Sequence, residues 1–288
     1  MGKVLPTGYR GNKMKRFLVP LLALLCGGPA AAADWSTVTT PAPGPTQSIG
    51  FYTAGCLQGA QALPFDGPGY EVIRLSRNRY WGQPVMLQYI QDLAQKVRTA
   101  GQAPLYIGDI GQPRGGPAPT GHASHQIGLD ADIWFEREPG PHRPPADREN
   151  PRLRSLVNAS DTAIDDTVYT PQHVLLLRLA AQMPNVDRLF VNKLIKQRLC
   201  ETVGGDRSWL NKLVVWAGHD EHFHVRLHCP PGNPRCQPQA AYYTDDGCGA
   251  PLELWFSHPP VVLPPPGTPM PPYRPKLPAA CAAVLNAP

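Results

Sequence analysis

The chain of 288 residues has no apolar run of membrane-spanning length, few charges and, past its first 33 residues, no surplus of either sign. Charged side chains make up 17% and hydrophobic ones 42%, which excludes wholesale disorder and leaves enough apolar material for a packed core. The formal net charge is +5, which at face value points to a polyanionic partner. Five of the 27 basic residues (Lys3, Arg10, Lys13, Lys15 and Arg16) fall in residues 1–33, where there is no acid. Past that segment 22 bases face 22 acids, no basic patch survives, and a nucleic-acid partner is not expected. No internal repeat is present, and 36 prolines rule out a repetitive helical bundle.

What is present begins with a leader. Residues 1–33 carry a basic stretch, the apolar run from Phe17 to Cys26, and the small residues Ala30 to Ala33 just before Asp34. That pattern predicts a cleaved secretory signal, with Met14 as an alternative start. The apolar run is too short to cross a bilayer stably, and Leu25 before Cys26 does not suit lipid attachment, so no stable membrane anchor is expected. Residues 34–288 then form the working domain. Of seven cysteines, Cys26 leaves with the leader, and Cys56, Cys200, Cys229, Cys236, Cys248 and Cys281 remain. An even set in an exported chain reads as three disulfides, with 15 possible pairings.

Residues 34–50 read as a polar, proline-containing opening segment. Val85, Met86, Tyr89, Ile90, Leu93 and Val97 recur at helical spacing over 84–100, with Pro84 at the start and Gly101 as a stop. A second amphipathic helix is predicted over 171–183 and a short one over 193–199. Strands are predicted over 105–107, 129–135, 186–191, 213–217 and 222–227, and residues 136–151 read as a charged surface loop. Ten of the twenty residues from Pro259 to Pro278 are proline, which forbids helix and central strand there. A disulfide through Cys281 would staple this tail (259–281) to the body. The expected fold is a single α+β domain with a central antiparallel sheet and flanking helices.

Six of the nine histidines fall in two windows, GHASHQIGLDADIW with His122 and His125, and GHDEHFHVRLHCP with His219, His222, His224 and His228. On a strand, His222 and His224 project to one face. Such a strand is a poor core element, because buried imidazoles need partners. Asp132 lies seven residues after His125, and a chain bend at Gly128 would let both face one point. Asp130 shares the strand face of Asp132 and competes with it as a ligand, and the other of the two is then a partner behind a ligand or merely solvated. Two histidines and a carboxylate form a mixed N/O set suited to catalytic zinc, which takes three protein ligands and leaves a position for water. His222 would sit beside the metal near its intrinsic pKa, able to accept a proton. His142, His173, His228 and His258 are read as structural or solvated.

The segments GHASHQIGLDADIWF, FVNKLIKQRLC and WAGHDEHFHVRLHCP resemble those of the penicillin-insensitive murein endopeptidases, and the resemblance spans essentially residues 34–288. The chain is also similar to the wider group of lysostaphin and the D-Ala-D-Ala carboxypeptidases, marked by His-x6-Asp and His-x-His, here His125–Asp132 and His222-Phe223-His224. The resemblance implies a Zn2+ cofactor held by His125, Asp132 and His224, with His122 contributing, His222 as catalytic base or transition-state stabiliser and His219 assisting it. It implies a periplasmic enzyme whose partner is peptidoglycan, cut at the D-alanyl–meso-diaminopimelyl cross-link by a zinc-bound water. No serine nucleophile is required, which suits insensitivity to penicillin. The pairing implied is Cys56–Cys281, Cys200–Cys248 and Cys229–Cys236. Some members carry an additional Asp-x-x-His pair where this chain has Ser160 and Ala163, so one zinc site is expected. A D,D-carboxypeptidase on the same scaffold, or an inactive zinc- or peptidoglycan-binding protein, are the alternative readings.

Overall fold

Two strands with strict in–out alternation organise the structure. In the computed structural model, which describes residues 34–119, 122–258 and 273–288, these are Asp130–Trp134 and His222–Leu227. Ala131 and Ile133 of the first, and Phe223, Val225 and Leu227 of the second, point into the core and are fully buried. Asp130, Asp132, Trp134, His222, His224 and Arg226 take the opposite face. The strands pair antiparallel with Asp132 opposite His224 and Asp130 opposite Arg226, so the register itself brings the carboxylates to the histidines. A slip of one residue would bury the imidazoles in the core and expose Phe223, which is why the register is strongly specified. The leader and residues 259–272 of the proline-rich tail lie outside the described residues.

In chain order the strands are β1 (Gln47–Phe51), β2 (Ala54–Gln58), β3 (Gln61–Ala62), β4 (Asp66–Gly67), β5 (Tyr70–Val72), β6 (Trp81–Gly82), β7 (Leu105–Ile107), β8 (Asp130–Trp134), β9 (Val186–Val191), β10 (Leu213–Val215) and β11 (His222–Leu227). The helices are α1 (Pro84–Thr99), α2 (Pro171–Ala181), α3 (Lys193–Thr202), α4 (Ala250–Ser257) and α5 (Ala280–Leu285). The main sheet has the order β10-β9-β11-β8-β7-β5-β4. Its centre, β9-β11-β8-β7, is antiparallel, but β10 runs parallel to β9 and β5 parallel to β7. The expected antiparallel sheet is therefore corrected to a mixed one. The parallel pairs join segments that are not neighbours in sequence, connected through α3 and α1, as parallel pairing requires.

Both long helices form where the apolar spacing predicts. Pro84 opens α1 at a position where its missing N–H costs nothing, and Gly101, at a φ of +70°, ends it. Met86, Ile90, Leu93 and Val97 of α1 and Leu176, Leu177 and Ala180 of α2 join Ile133, Phe223, Val225 and Leu189 in one core. Each such side chain contributes roughly 1.5–3 kcal/mol by leaving water. Only Asp34–Val38 and β1 depart from the opening segment read as polar and irregular, and β1 pairs with β2 as a hairpin. The loop at 136–151 holds a short 3-10 turn, Pro145–Arg148, with Arg148 buried.

All six described cysteines are paired: Cys56–Cys281 ties β2 to α5, Cys200–Cys248 ties α3 to the segment before α4, and Cys229–Cys236 closes the loop after β11. The stapled C-terminus is also held by Arg114, whose buried guanidinium donates to the carbonyls of Val284, Leu285, Ala287 and Pro288.

Candidate metal centre

The loop from Ile110 to Leu129 folds over the polar face of β8 and β11. His125 sits in it with a φ of +65°, and Gly128 follows with a φ of +72°. Both are left-handed conformations, costly for the histidine and natural for the glycine. A Cβ at Gly128 would also fall 2.5 Å from Leu57 and 2.9 Å from the Gln83 amide nitrogen. The bend expected there is present, and it turns His125 toward Asp132.

Three partners lock the ring nitrogens. His125 Nδ1 lies 3.0 Å from the carbonyl of Ile110; a carbonyl only accepts, so Nδ1 carries the proton and Nε2 keeps its lone pair. His224 Nε2 lies 2.8 Å from Asp130 Oδ1 and donates to it, leaving the lone pair on Nδ1. His219 Nδ1 donates to Ala217 at 3.0 Å. The two free lone pairs converge on one carboxylate oxygen: His125 Nε2 and His224 Nδ1 are each 3.4 Å from Asp132 Oδ1. Ligand atoms arranged tetrahedrally at about 2.0–2.1 Å from a zinc ion are roughly 3.3 Å apart.

His125 Nε2 and Asp132 Oδ1 are buried and make no hydrogen bond. Unsatisfied buried polar atoms are rare and costly, and two of them facing each other mark a place built for something else to bind. His122 Nε2 stands 3.6 Å from Asp132 Oδ2 and 3.1 Å from Asp109 Oδ2. One ligand atom each from His122, His125 and Asp132 lie within 4.8 Å of one another. Among the described residues this is the group of three that meets such spacing; His224 is not in it, although its Nδ1 reaches Asp132 Oδ1. Ser160 and its neighbouring acids are engaged elsewhere: Asp161 accepts from Asn192, Asp165 from Thr167 and Asp166 from Arg198.

The charges are strongly perturbed. Burial opposes protonation of His125, but the carboxylates of Asp132, Asp130 and Asp109 outweigh it and push the ring up to about 9, so that without a cation Nε2 also takes up a proton, which a bound cation would displace. Burial would raise Asp132, yet His125, His222 and His122 hold it well below the usual carboxylate range. Burial pushes His224 down to about 4 and His222 to about 3. His222 is therefore not near its intrinsic value, as its sequence position suggested; desolvation keeps it neutral. Its Nε2 is 3.6 Å from Asp132 Oδ1, its buried Nδ1 makes no hydrogen bond, and the His219 ring packs against it, tilted, at 5.2 Å. His219 has a φ of +58°, and its carbonyl accepts from the Asn192 amide, which ties its loop to the start of α3.

The remaining histidines stay outside this cluster. His173 closes the capping box of α2 with Thr170. His142 contacts Asp66, His228 is exposed beside Asp187, and His258 is exposed. Two acids stand behind the ring nitrogens, and one of them, Asp109, escapes a motif search. Asp109, buried among Arg77, Arg79 and His122, follows β7 with no spacing signal of its own. Asp130 is the partner behind His224, as its shared strand face with Asp132 allowed.

Residues 48–286 match the family described as penicillin-insensitive murein endopeptidase. A protein of Haemophilus influenzae with that name is 46% identical over 266 residues, covering 90% of each chain. One from Klebsiella pneumoniae is 42% identical over 274 residues, covering 95% of this chain and 98% of its own. One from Escherichia coli is 40% identical over 276 residues with the same coverage. Matched over most of its length at these identities, the chain belongs to the penicillin-insensitive murein endopeptidase family.

Proposed function

We propose that this protein is a periplasmic zinc peptidase that hydrolyses the D-alanyl–meso-diaminopimelyl cross-link of peptidoglycan. The observation that carries the reading is the convergence of two proton-locked imidazole lone pairs on a buried, unpartnered carboxylate oxygen. His125, Asp132 and His224 would hold the ion, with His122 contributing from the Asp109 side. The mixed N/O donor set suits zinc, and three protein ligands are the catalytic rather than the structural pattern. When bound, zinc lowers the pKa of a coordinated water toward neutrality and polarises the scissile carbonyl.

The rest of the work falls to the chain itself. Asp130 and the Ile110 carbonyl orient the ligand rings and fix their tautomers. His222 faces Asp132, whose charge offsets the burial that disfavours its protonated form, and would take the proton from the attacking water and pass it to the leaving amine. His219, held by Ala217 and Asn192, keeps His222 in place. The six described cysteines are all in disulfides, so none is a nucleophile. Without an acylated serine, β-lactams have nothing to modify. The three disulfides and the expected leader favour an oxidising compartment, and no helix among the described residues is long and apolar enough to cross a membrane.

Digestion of purified sacculi with and without a chelator, read by mass, tests this. Conversion of cross-linked dimers to monomers, blocked by chelator and untouched by penicillin, is the expected result. Loss of one terminal D-Ala with dimers intact would replace the endopeptidase with a D,D-carboxypeptidase, and no change in either would leave a binding protein.

A further inference from the structure

Arg74 is a cation beside the metal cluster that no carboxylate contacts among the described residues, although the charges of Asp109, Glu221 and Asp132 reach it. It lies two residues past the end of β5, with a φ of +56° and its amide donating to the Arg148 carbonyl at 2.8 Å. An arginine in left-handed backbone is costly, and here that conformation sends the side chain back across the sheet. Its guanidinium lies 4.5 Å from the centroid of the Trp134 ring, and Trp134 in turn packs 4.8 Å from His222. Gly108 makes room for this stack, since a Cβ there would meet Trp134 Nε1 at 2.5 Å. Among the described residues the half-buried guanidinium makes no hydrogen bond and no ion pair. Asp109, whose charge reaches it, is already held by Arg77 and Arg79. A planar fork of five donors, desolvated on one face by an indole, is suited to bind a carboxylate bidentately.

We propose that Arg74 anchors the substrate carboxylate on the carbon attached to the scissile nitrogen. The inference rests on the cross-link reading above. In the D-alanyl–meso-diaminopimelyl bridge, the leaving amine belongs to a carbon that carries a free carboxylate. An anchor two rings from Asp132 would set the leaving group against His222 and reject linkages lacking that charge. The same group occurs in a terminal D-Ala, so the substrates in the test must separate the two sources.

The test uses the zinc-loaded protein with Arg74→Gln and Arg74→Lys variants. The substrates are a cross-linked muropeptide dimer, the same dimer with that carboxylate converted to the carboxamide, and an uncross-linked pentapeptide. The native protein is expected to favour the carboxylate dimer over the carboxamide by roughly 10- to 100-fold in kcat/KM, mostly through KM, as for a charge-assisted hydrogen bond. Arg74→Gln should abolish the preference while cleaving the carboxamide dimer at the native rate, and Arg74→Lys should keep part of it. A merely structural role would slow both dimers equally. Binding of the carboxylate dimer to the metal-free protein, followed by calorimetry, should weaken in Arg74→Gln by the same factor. An undiminished preference in Arg74→Gln, or a native protein that cleaves both dimers equally, overturns the anchor and leaves the endopeptidase reading standing. An effect confined to the pentapeptide overturns its assignment to the cross-link. Failure of the native protein to cut either dimer overturns both.

Discussion

Asp130→Asn asks whether the carboxylate behind His224 sets the metal site. Asp130 is fully buried; Oδ1 accepts from His224 Nε2 at 2.8 Å and Arg226 Nε at 2.7 Å, and Oδ2 accepts from the His125 amide at 3.3 Å. Asparagine has the same shape but only one accepting atom. With its oxygen toward His224 and Arg226, its NH2 opposes the His125 amide, donor against donor. Flipped, the NH2 faces His224 Nε2, which must then accept; the proton moves to Nδ1 and the lone pair aimed at Asp132 is lost. Either orientation damages the site, and an outer-shell change of this kind costs about 10–100-fold in metal affinity. Stability should fall as well. Removing one partner of a buried ion pair costs roughly 3–5 kcal/mol. Arg226 keeps the Gln239 oxygen at 2.6 Å and the faces of Tyr52 and Phe190, so the lower end is expected. Competition for zinc against a chromophoric chelator measures the first effect, and urea unfolding of the metal-free proteins the second. A variant binding zinc within about threefold of the native protein would refute the claim that Asp130 fixes the His224 tautomer.

Replacing a ligand and replacing the proposed base should separate cleanly. His224→Ala should abolish zinc binding, whereas His222→Ala should bind zinc normally and turn over roughly 10²–10⁴-fold more slowly; normal turnover would remove His222 from the mechanism. Cys281→Ser opens a closure between residues 225 apart in sequence, which in the chain-entropy account costs about 5 kcal/mol, and at least 2–3 kcal/mol should be seen as a lowered urea midpoint. His173 is held down to about 4 by burial and the nearby Arg137 charge, so the unfolded chain takes up this proton near 6.5 and the native state only near 4. Native stability is therefore lost as pH falls from 6.5 to 4, by about 3 kcal/mol in total. His173→Gln keeps a side chain able to close the capping box but cannot titrate, so its stability relative to the native protein should rise over that window; a pH-independent difference would refute the assignment.

Local pattern carried much of this molecule. The apolar spacing of Met86 to Val97 and the proline before it predicted α1, and alternation in residues 130–134 and 222–227 predicted both strands of the metal face. Those signals work because helix and strand periodicities are properties of consecutive residues. The clustering of His122, His125, His219, His222 and His224 was equally legible. The disulfide pairing was not: counting cysteines leaves 15 choices, and it took family resemblance to propose the one that the tertiary structure has. Short elements such as β5, α4 and α5 escaped because so few residues hold no clear period, and tertiary packing forms them.

The sequence by itself determined which side chains share a face and that histidines and carboxylates would meet. Only the tertiary structure decided which nitrogen each ring offers, since Asp130 reaches His224 from 94 residues away and Ile110 reaches His125 from 15. It also decided that the sheet is mixed, because its parallel pairs β5–β7 and β9–β10 join strands separated by a helix. Burial depends on everything packed around a group, and so the neutral His222 and the Arg74 guanidinium laid on Trp134 became visible only once the chain was folded.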